Sequence, residues 1–244
     1  MYKHSLFERL YAFILRHTNQ QKYNLYIKEL IDKYLRKFGP EIMGHFQDLY
    51  QNKGIDYWLT WGSILGYYRE HDFIKGDNDV DVGMFKKDIT LDLVDELIRR
   101  GFEYQRAIID CEYKGIHITF NYKTVKVDLY SYEINADGTN YTGFAPMPIN
   151  GDWKLSIAQN KYAMRWVTFP FKDSMTIDFV GTKTRVPVNT EEQLKILYGE
   201  NFMTPIPGFK NTKNNNIIIE YSDTKYAYGC SYNELRKLME SHKL

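Results

Sequence analysis

The stretch Asp79-Val80-Asp81-Val82-Gly83-Met84-Phe85 constrains this chain more than any other. Side chains two apart on a strand point to the same side. The alternation therefore sets Asp79 and Asp81 on one face, and Val80 and Val82 on the other, where they can enter a core. Two carboxylates about 7 Å apart at Cα repel one another unless something positive sits between them. A lone D-x-D-x-D also occurs in solvated, turn-rich loops, so the motif needs support from its neighbours. An EF-hand loop does not fit: counted from Asp77, positions six and twelve hold Val82 and Asp88 rather than Gly and Glu.

Support comes from both sides. Upstream, Tyr57-Trp58-Leu59-Thr60 is short and strand-like and runs into Gly62-Ser63, where a brief helix over Ile64 to Arg69 begins. The N-terminus of such a helix offers N–H groups and a positive dipole end to a phosphate. Arg69, one to two turns on, can grip a second phosphate with both arms of its guanidinium. Downstream, Gly115 to Tyr122 and Val125 to Tyr132 read as an antiparallel hairpin closed by Tyr122-Lys123-Thr124. Within it Val125, Val127 and Leu129 take the buried side and Asp128 the other. If the two acidic strands are neighbours, Asp79, Asp81 and Asp128 converge, a set of hard oxygen ligands suited to Mg²⁺ or Mn²⁺. A phosphate-binding turn followed by a carboxylate metal site is a layout for phosphoryl or nucleotidyl transfer.

The remaining pattern frames this site. Leu25, Leu30, Ile31, Tyr34, Leu35 and Phe38 recur at helical spacing, and Gly39-Pro40 is the expected stop. A second helix carries Ile42, Met43, Phe46, Leu49 and Tyr50 and stops at Gly54. Further helices are expected from Asp88 or Thr90 to Gly101, from Trp153 to about Trp166, from Thr190 to Gly199, and from a Ser231 cap to His242. A hairpin runs from Met175 to Val188 with its turn at Gly181-Thr182, and KNTKNNN reads as a polar loop.

Composition limits what the chain does. Lys plus Arg number 32 against 31 Asp plus Glu, so no global field recruits nucleic acid. The two cysteines, Cys111 and Cys230, make neither a disulfide scaffold nor a zinc site, and a reducing cytoplasm is the default. No stretch reaches the ~20 apolar residues of a membrane span. The N-terminal FERLYAFILRH is too short and too charged for a signal peptide. Packing on the domain is the expected use of that segment, ahead of peripheral membrane contact as an amphipathic helix.

WGSILGYYREHDFIKGDNDVDV resembles the signature of the LicD family, to which fukutin-related proteins belong, within the DNA polymerase β-like nucleotidyltransferase fold. The family pattern is roughly G-T/S-L-L-G-x-x-R followed by F-I-P-W-D-x-D-x-D. Gly62, Ser63, Leu65, Gly66, Arg69, Phe73, Ile74, Asp77, Asp79 and Asp81 fall in register with it. VDLY, with Asp128, resembles the later strand that carries the third acid, and VPVNTEEQLKILYGENFMTPIP resembles the C-terminal pattern. Lys75-Gly76 stand where the family usually has Pro-Trp, which bears on the shape of the donor pocket, and Asn78 stands for a frequent aspartate.

The resemblance implies an α+β fold: a nucleotidyltransferase-like mixed sheet flanked by helices (56–244), with a helical N-terminal segment (1–55) packed on it. It also implies a metal-dependent transferase, placing phosphocholine, ribitol phosphate or a similar polyol phosphate from a CDP-activated alcohol donor onto a glycan acceptor. Asp79, Asp81 and Asp128 would hold metal, with Asp128 also able to take the attacking hydroxyl's proton, and Gly62, Ser63 and Arg69 would hold the diphosphate. Two alternatives stay open. A nucleotidyltransferase moving NMP from an NTP has an identical metal site, and a non-catalytic glycan-binding module suits the 21 Tyr and 14 Phe.

Overall fold

The computed structural model describes residues 5–206, 216–241 and 243–244. Most of the KNTKNNN stretch, Pro207 of the tail pattern and His242 lie outside the described residues.

Helix α1 (Leu6–Thr18) opens on a capping box, in which Ser5 and Glu8 each satisfy the other's backbone N–H. Asn19, with extended backbone, ends α1, and its side chain accepts the Lys22 N–H at 2.9 Å to start α2. Helix α2 runs unbroken over Gln20–Lys53, where the sequence pattern predicts two helices parted at Gly39-Pro40. Proline inside a helix costs about 3 kcal/mol. Burial of Leu35, Phe38, Ile42, Met43 and Phe46 on one continuous face outweighs it, at about 1.5–3 kcal/mol for each large apolar side chain. Gly39 is there for contact rather than termination: a Cβ would collide with the Phe73 ring. The true stop is Gly54, left-handed at φ 67°, whose N–H returns to the Tyr50 carbonyl at 3.0 Å.

The chain then builds a mixed sheet. Strand β1 (Tyr57–Leu59), helix α3 (Trp61–Glu70), strand β2 (Asp79–Phe85) and helix α4 (Leu91–Arg99, capped by the Thr90 hydroxyl) follow in order. Strands β3 (Glu103–Asp110), β4 (Ile116–Tyr122), β5 (Val125–Ile134) and β6 (Asn140–Met147) form its centre. Helix α5 (Trp153–Gln159) is followed by β7 (Ala163–Pro170). The predicted helix to Trp166 thus ends early: Asn160 turns left-handed at φ 49°, and Met164 to Val167 pair with both β6 and β10. The hairpin β8 (Ser174–Phe179) and β9 (Thr182–Pro187), helix α6 (Thr190–Tyr198), strands β10 (Ile217–Glu220) and β11 (Ala227–Cys230), and helix α7 (Tyr232–Glu240) complete the described chain.

Strand β5 is the hub. It pairs antiparallel with β4 along its first half, antiparallel with β6 over Tyr132–Ile134, and parallel with β2 over seven residues. Its edge-ward neighbours give the order β10-β7-β6-β5-β4-β3-β11, with β1 on the far side of β2. Val80, Val82, Val127 and Leu129 are fully buried in the core that α2 and α4 cover. The β8–β9 hairpin packs on α2 and β1, where Tyr57 shares its hydroxyl with Gln47 and Thr184 at 3.1 and 3.2 Å. A second, aromatic cluster around Trp58, Trp61, Tyr132, Tyr141 and Phe169 lies nearer the acidic face.

Candidate active site

Alternation along β2 places Asp79 and Asp81 opposite the buried valines, and the parallel register sets Asp81 level with Asp128 and Asp79 level with Lys126. Ligand oxygens of Asp79, Asp81 and Asp128 all lie within 4.8 Å of one another. Asp81 and Asp128 are buried and Asp79 half-buried, so this is no solvated acidic surface. Three carboxylates gathered out of water suit a hard divalent cation, and the cluster can hold a metal ion.

A cation of the protein's own already stands among them. Lys126 is two residues before Asp128 and shares its face, with Nζ 2.6 Å from Asp79 and 2.8 Å from Asp128. Burial disfavours the Lys126 charge, but Asp128 and Asp79 beside it hold its pKa well above the usual lysine range. Burial likewise opposes ionisation of Asp128, yet the His117 ring and the Lys126 ammonium hold its carboxyl well below the usual range. The Thr119 hydroxyl donates to Asp128 Oδ1 at 2.8 Å. His117 Nε2 is 3.3 Å from the same oxygen but poorly aligned, so neither of its buried ring nitrogens has a hydrogen-bond partner.

Asp81 is in the opposite state. Burial, and then Asp79, Asp128 and Asp77, push its carboxyl well above the usual range. Burial and Asp79 push Asp77 up to about 7. Helix α3 relieves part of this, because the Gly62 N–H donates to Asp81 Oδ2 at 2.8 Å. Ser63 Oγ accepts the Asp81 N–H, also at 2.8 Å. Gly62 and Ser63 thus grip the strand that carries the acids. A Cβ at residue 62 would fall 2.8 Å from Asp77 Oδ2 and 3.2 Å from Asp81 Oδ2, so the approach requires glycine. Trp61, which opens α3, is left-handed at φ 44°, a strained conformation for a bulky residue.

Arg69 sits in the last turn of α3, and its Nη2 is buried without a hydrogen-bond partner. Sequence reasoning did not find its counterpart, Arg165 on β7. That guanidinium stacks 4.2 Å over the Trp61 ring, and its Nε too is buried without a partner. Burial lowers the Arg165 pKa, while Tyr130, Tyr198, Tyr132 and Asp81 nearby oppose the shift. Each guanidinium keeps one buried donor unused, and Arg165, which feels the charge of Asp81, stands near the acidic cluster, where it can meet an anion. Lys126 had a signal in the sequence, the two-residue step from Asp128. Arg165 had none while its segment read as helix.

A mixed sheet whose parallel pair β2 and β5 carries three converging carboxylates beside a helix N-terminus defines a nucleotidyltransferase-like domain. The chain belongs to the LicD/FKTN/FKRP family, whose nucleotidyltransferase-domain model matches residues 54–189, more than half of its length. Among individual proteins it is similar to the ribitol-5-phosphate transferase FKTN of Mus musculus and of Homo sapiens. Each is 24% identical over 172 residues, covering 70% of this chain and 34% of the relative. The chain therefore matches about a third of the length of these relatives.

Proposed function

We propose that the protein transfers a phospho-alcohol from a CDP-activated donor to a glycan hydroxyl and releases CMP. Ribitol phosphate is the foremost candidate, since the FKTN relatives carry that activity in their name. Phosphocholine or another polyol phosphate is handled by the same chemistry. Residues 56–244 make up the catalytic unit in this reading, and residues 1–55 a helical segment beside it. The observation that carries the proposal is the register of β2 and β5, which aligns Asp81 with Asp128 and brings Asp79 to both.

Asp79, Asp81 and Asp128 would hold Mg²⁺ or Mn²⁺, which when bound neutralises charge on the donor diphosphate. The attacking hydroxyl oxygen bonds to the alcohol-bearing phosphorus, the P–O–P bridge breaks toward CMP, and the hydroxyl proton passes to the carboxylate cluster. Asp128, held low, is better suited to keeping its negative charge than to removing that proton. Phosphoryl transfer asks mainly for positioning and charge stabilisation, which Arg69 and Arg165 supply at the phosphates. Gly62 and Ser63 keep Asp81 in place beneath them and border the diphosphate.

The test is a mass-spectrometric assay of CDP-ribitol, CDP-glycerol and CDP-choline with candidate glycans, reading CMP and the phosphorylated product. Pyrophosphate released from an NTP, with no CMP from any CDP-alcohol, would assign the site to nucleotidyl transfer instead.

A further inference from the structure

Helix α1 turns Glu8, Ala12 and Leu15 inward. It packs on α2 through Leu15 and Glu8, whose carboxylate accepts from the Tyr34 hydroxyl at 2.6 Å and pairs with Lys33 at 2.9 Å. Tyr11 adds an edge-on ring contact with Tyr26 at 4.9 Å. The other side of the helix is apolar and uncovered among the described residues. Leu6, Phe7 and Phe13 are 80, 74 and 61% exposed, with Leu10 and Ile14 beside them. At about 100° per residue, Leu6, Leu10, Phe13 and Ile14 fall within one outward face together with the His17 ring, which lies against Phe13, and Arg9 and Arg16 lie together along its edge. Neither arginine makes an ion pair among the described residues, and the one acid of α1 is the inward, neutralised Glu8.

We propose that α1 docks the protein on an anionic lipid surface. The helix lies in the headgroup plane with its outward apolar face immersed and Arg9 and Arg16 on lipid phosphates. Charge selects this occupant over a second copy of the chain. Pairing two copies through this face gathers their arginines at its edges, with no exposed acid on either helix to receive them. The helix is about 20 Å long, and none of the described helices is long and apolar enough to cross a membrane, so the contact is peripheral. The inference stands independently of the transferase reading, because it uses no residue of the acidic site.

The experiment is co-sedimentation of the full chain with vesicles of phosphatidylcholine, with and without phosphatidylglycerol. Wild type pellets with the anionic vesicles and far less with the neutral ones. Arg9→Gln with Arg16→Gln weakens partitioning about 30-fold, equivalent to about 1 kcal/mol for each basic side chain at an anionic surface. Leu10→Asp with Phe13→Asp abolishes pelleting. Circular dichroism and melting of both variants match wild type, since all four positions are exposed. Wild type remaining in the supernatant with anionic vesicles would overturn the proposal. So would a dimer in sedimentation velocity that Leu10→Asp with Phe13→Asp splits, since that result assigns the face to a second copy.

Discussion

Replacing Lys126 with methionine keeps the aliphatic stem and removes the one cation among three aspartates. At an effective dielectric constant near 20, a unit pair at 4 Å attracts by about 4 kcal/mol, and Lys126 makes two contacts shorter than 3 Å. Most of that gross attraction is offset by the desolvation of the ions. The Lys126 side chain is also 38% exposed, so solvent screens the remainder. A net loss of about 2 kcal/mol follows in the metal-free protein, which in a domain of this size lowers the melting temperature by about 4–8 °C. Mg²⁺ or Mn²⁺ replaces the missing charge, so the metal-induced rise in melting temperature should be larger for Lys126→Met than for wild type. The assay is a thermal melt of both proteins in chelator and in saturating metal. Equal melting temperatures in chelator, with equal metal-induced shifts, would refute the view that Lys126 occupies the cation's place.

Asp81→Asn and Asp128→Asn should each cut kcat at least ~100-fold; the melting temperature holds or rises for Asp81→Asn, which removes a repelling charge, and falls for Asp128→Asn, which breaks the ion pair with Lys126. Asn78→Ala, at an exposed position before β2, is the matched control, and an equal loss of turnover there would contradict the strand register. Arg165→Gln should weaken donor binding about tenfold or more in a calorimetric titration with little change in melting, as expected for a charge-assisted contact to phosphate. Glu8, held down to about 2 by the Tyr34 hydroxyl and then Lys33, contributes stability that is present above its ordinary value of 4.5 and lost as pH falls from there toward 2. Glu8→Gln should therefore cost about 1–2 kcal/mol in urea denaturation at pH 7, with most of the difference gone by pH 3.

The acidic face was legible because strand alternation and a buried partner row leave little freedom: valines that enter the core force Asp79, Asp81 and Asp128 the other way. Thr90 and Ser231 revealed their helices through the caps they form. What failed was local punctuation overridden by packing. Gly39-Pro40 reads as a stop, yet Gly39 makes room for the Phe73 ring and α2 continues. Gly143 and Pro146 obscured β6, although Gly143 is the place where the Tyr132 ring lies against the strand. The two-residue step puts Lys126 on the face of Asp128, but its contact with Asp79 depends on β2 lying beside β5. Arg165 became visible only when its segment paired as β7.

Strands β2 and β5 run parallel, so no tight turn can join them, and the chain travels about 40 residues from Phe85 to Val125 through α4, β3 and β4 before they meet. The β4–β5 hairpin, closed by Lys123 and Thr124 in left-handed conformations, is local and forms within about 1–10 μs. Docking of β2 waits for a distant closure. On this order of events, Asp128 is in place before Asp79 and Asp81 dock beside it. An interaction that forms after the folding barrier changes the rate of unfolding and leaves the rate of folding nearly untouched. Where that docking follows the folding barrier, a cation at this cluster, whether Lys126 or a metal, is a kinetic latch: it does little to help the domain close and much to keep it closed.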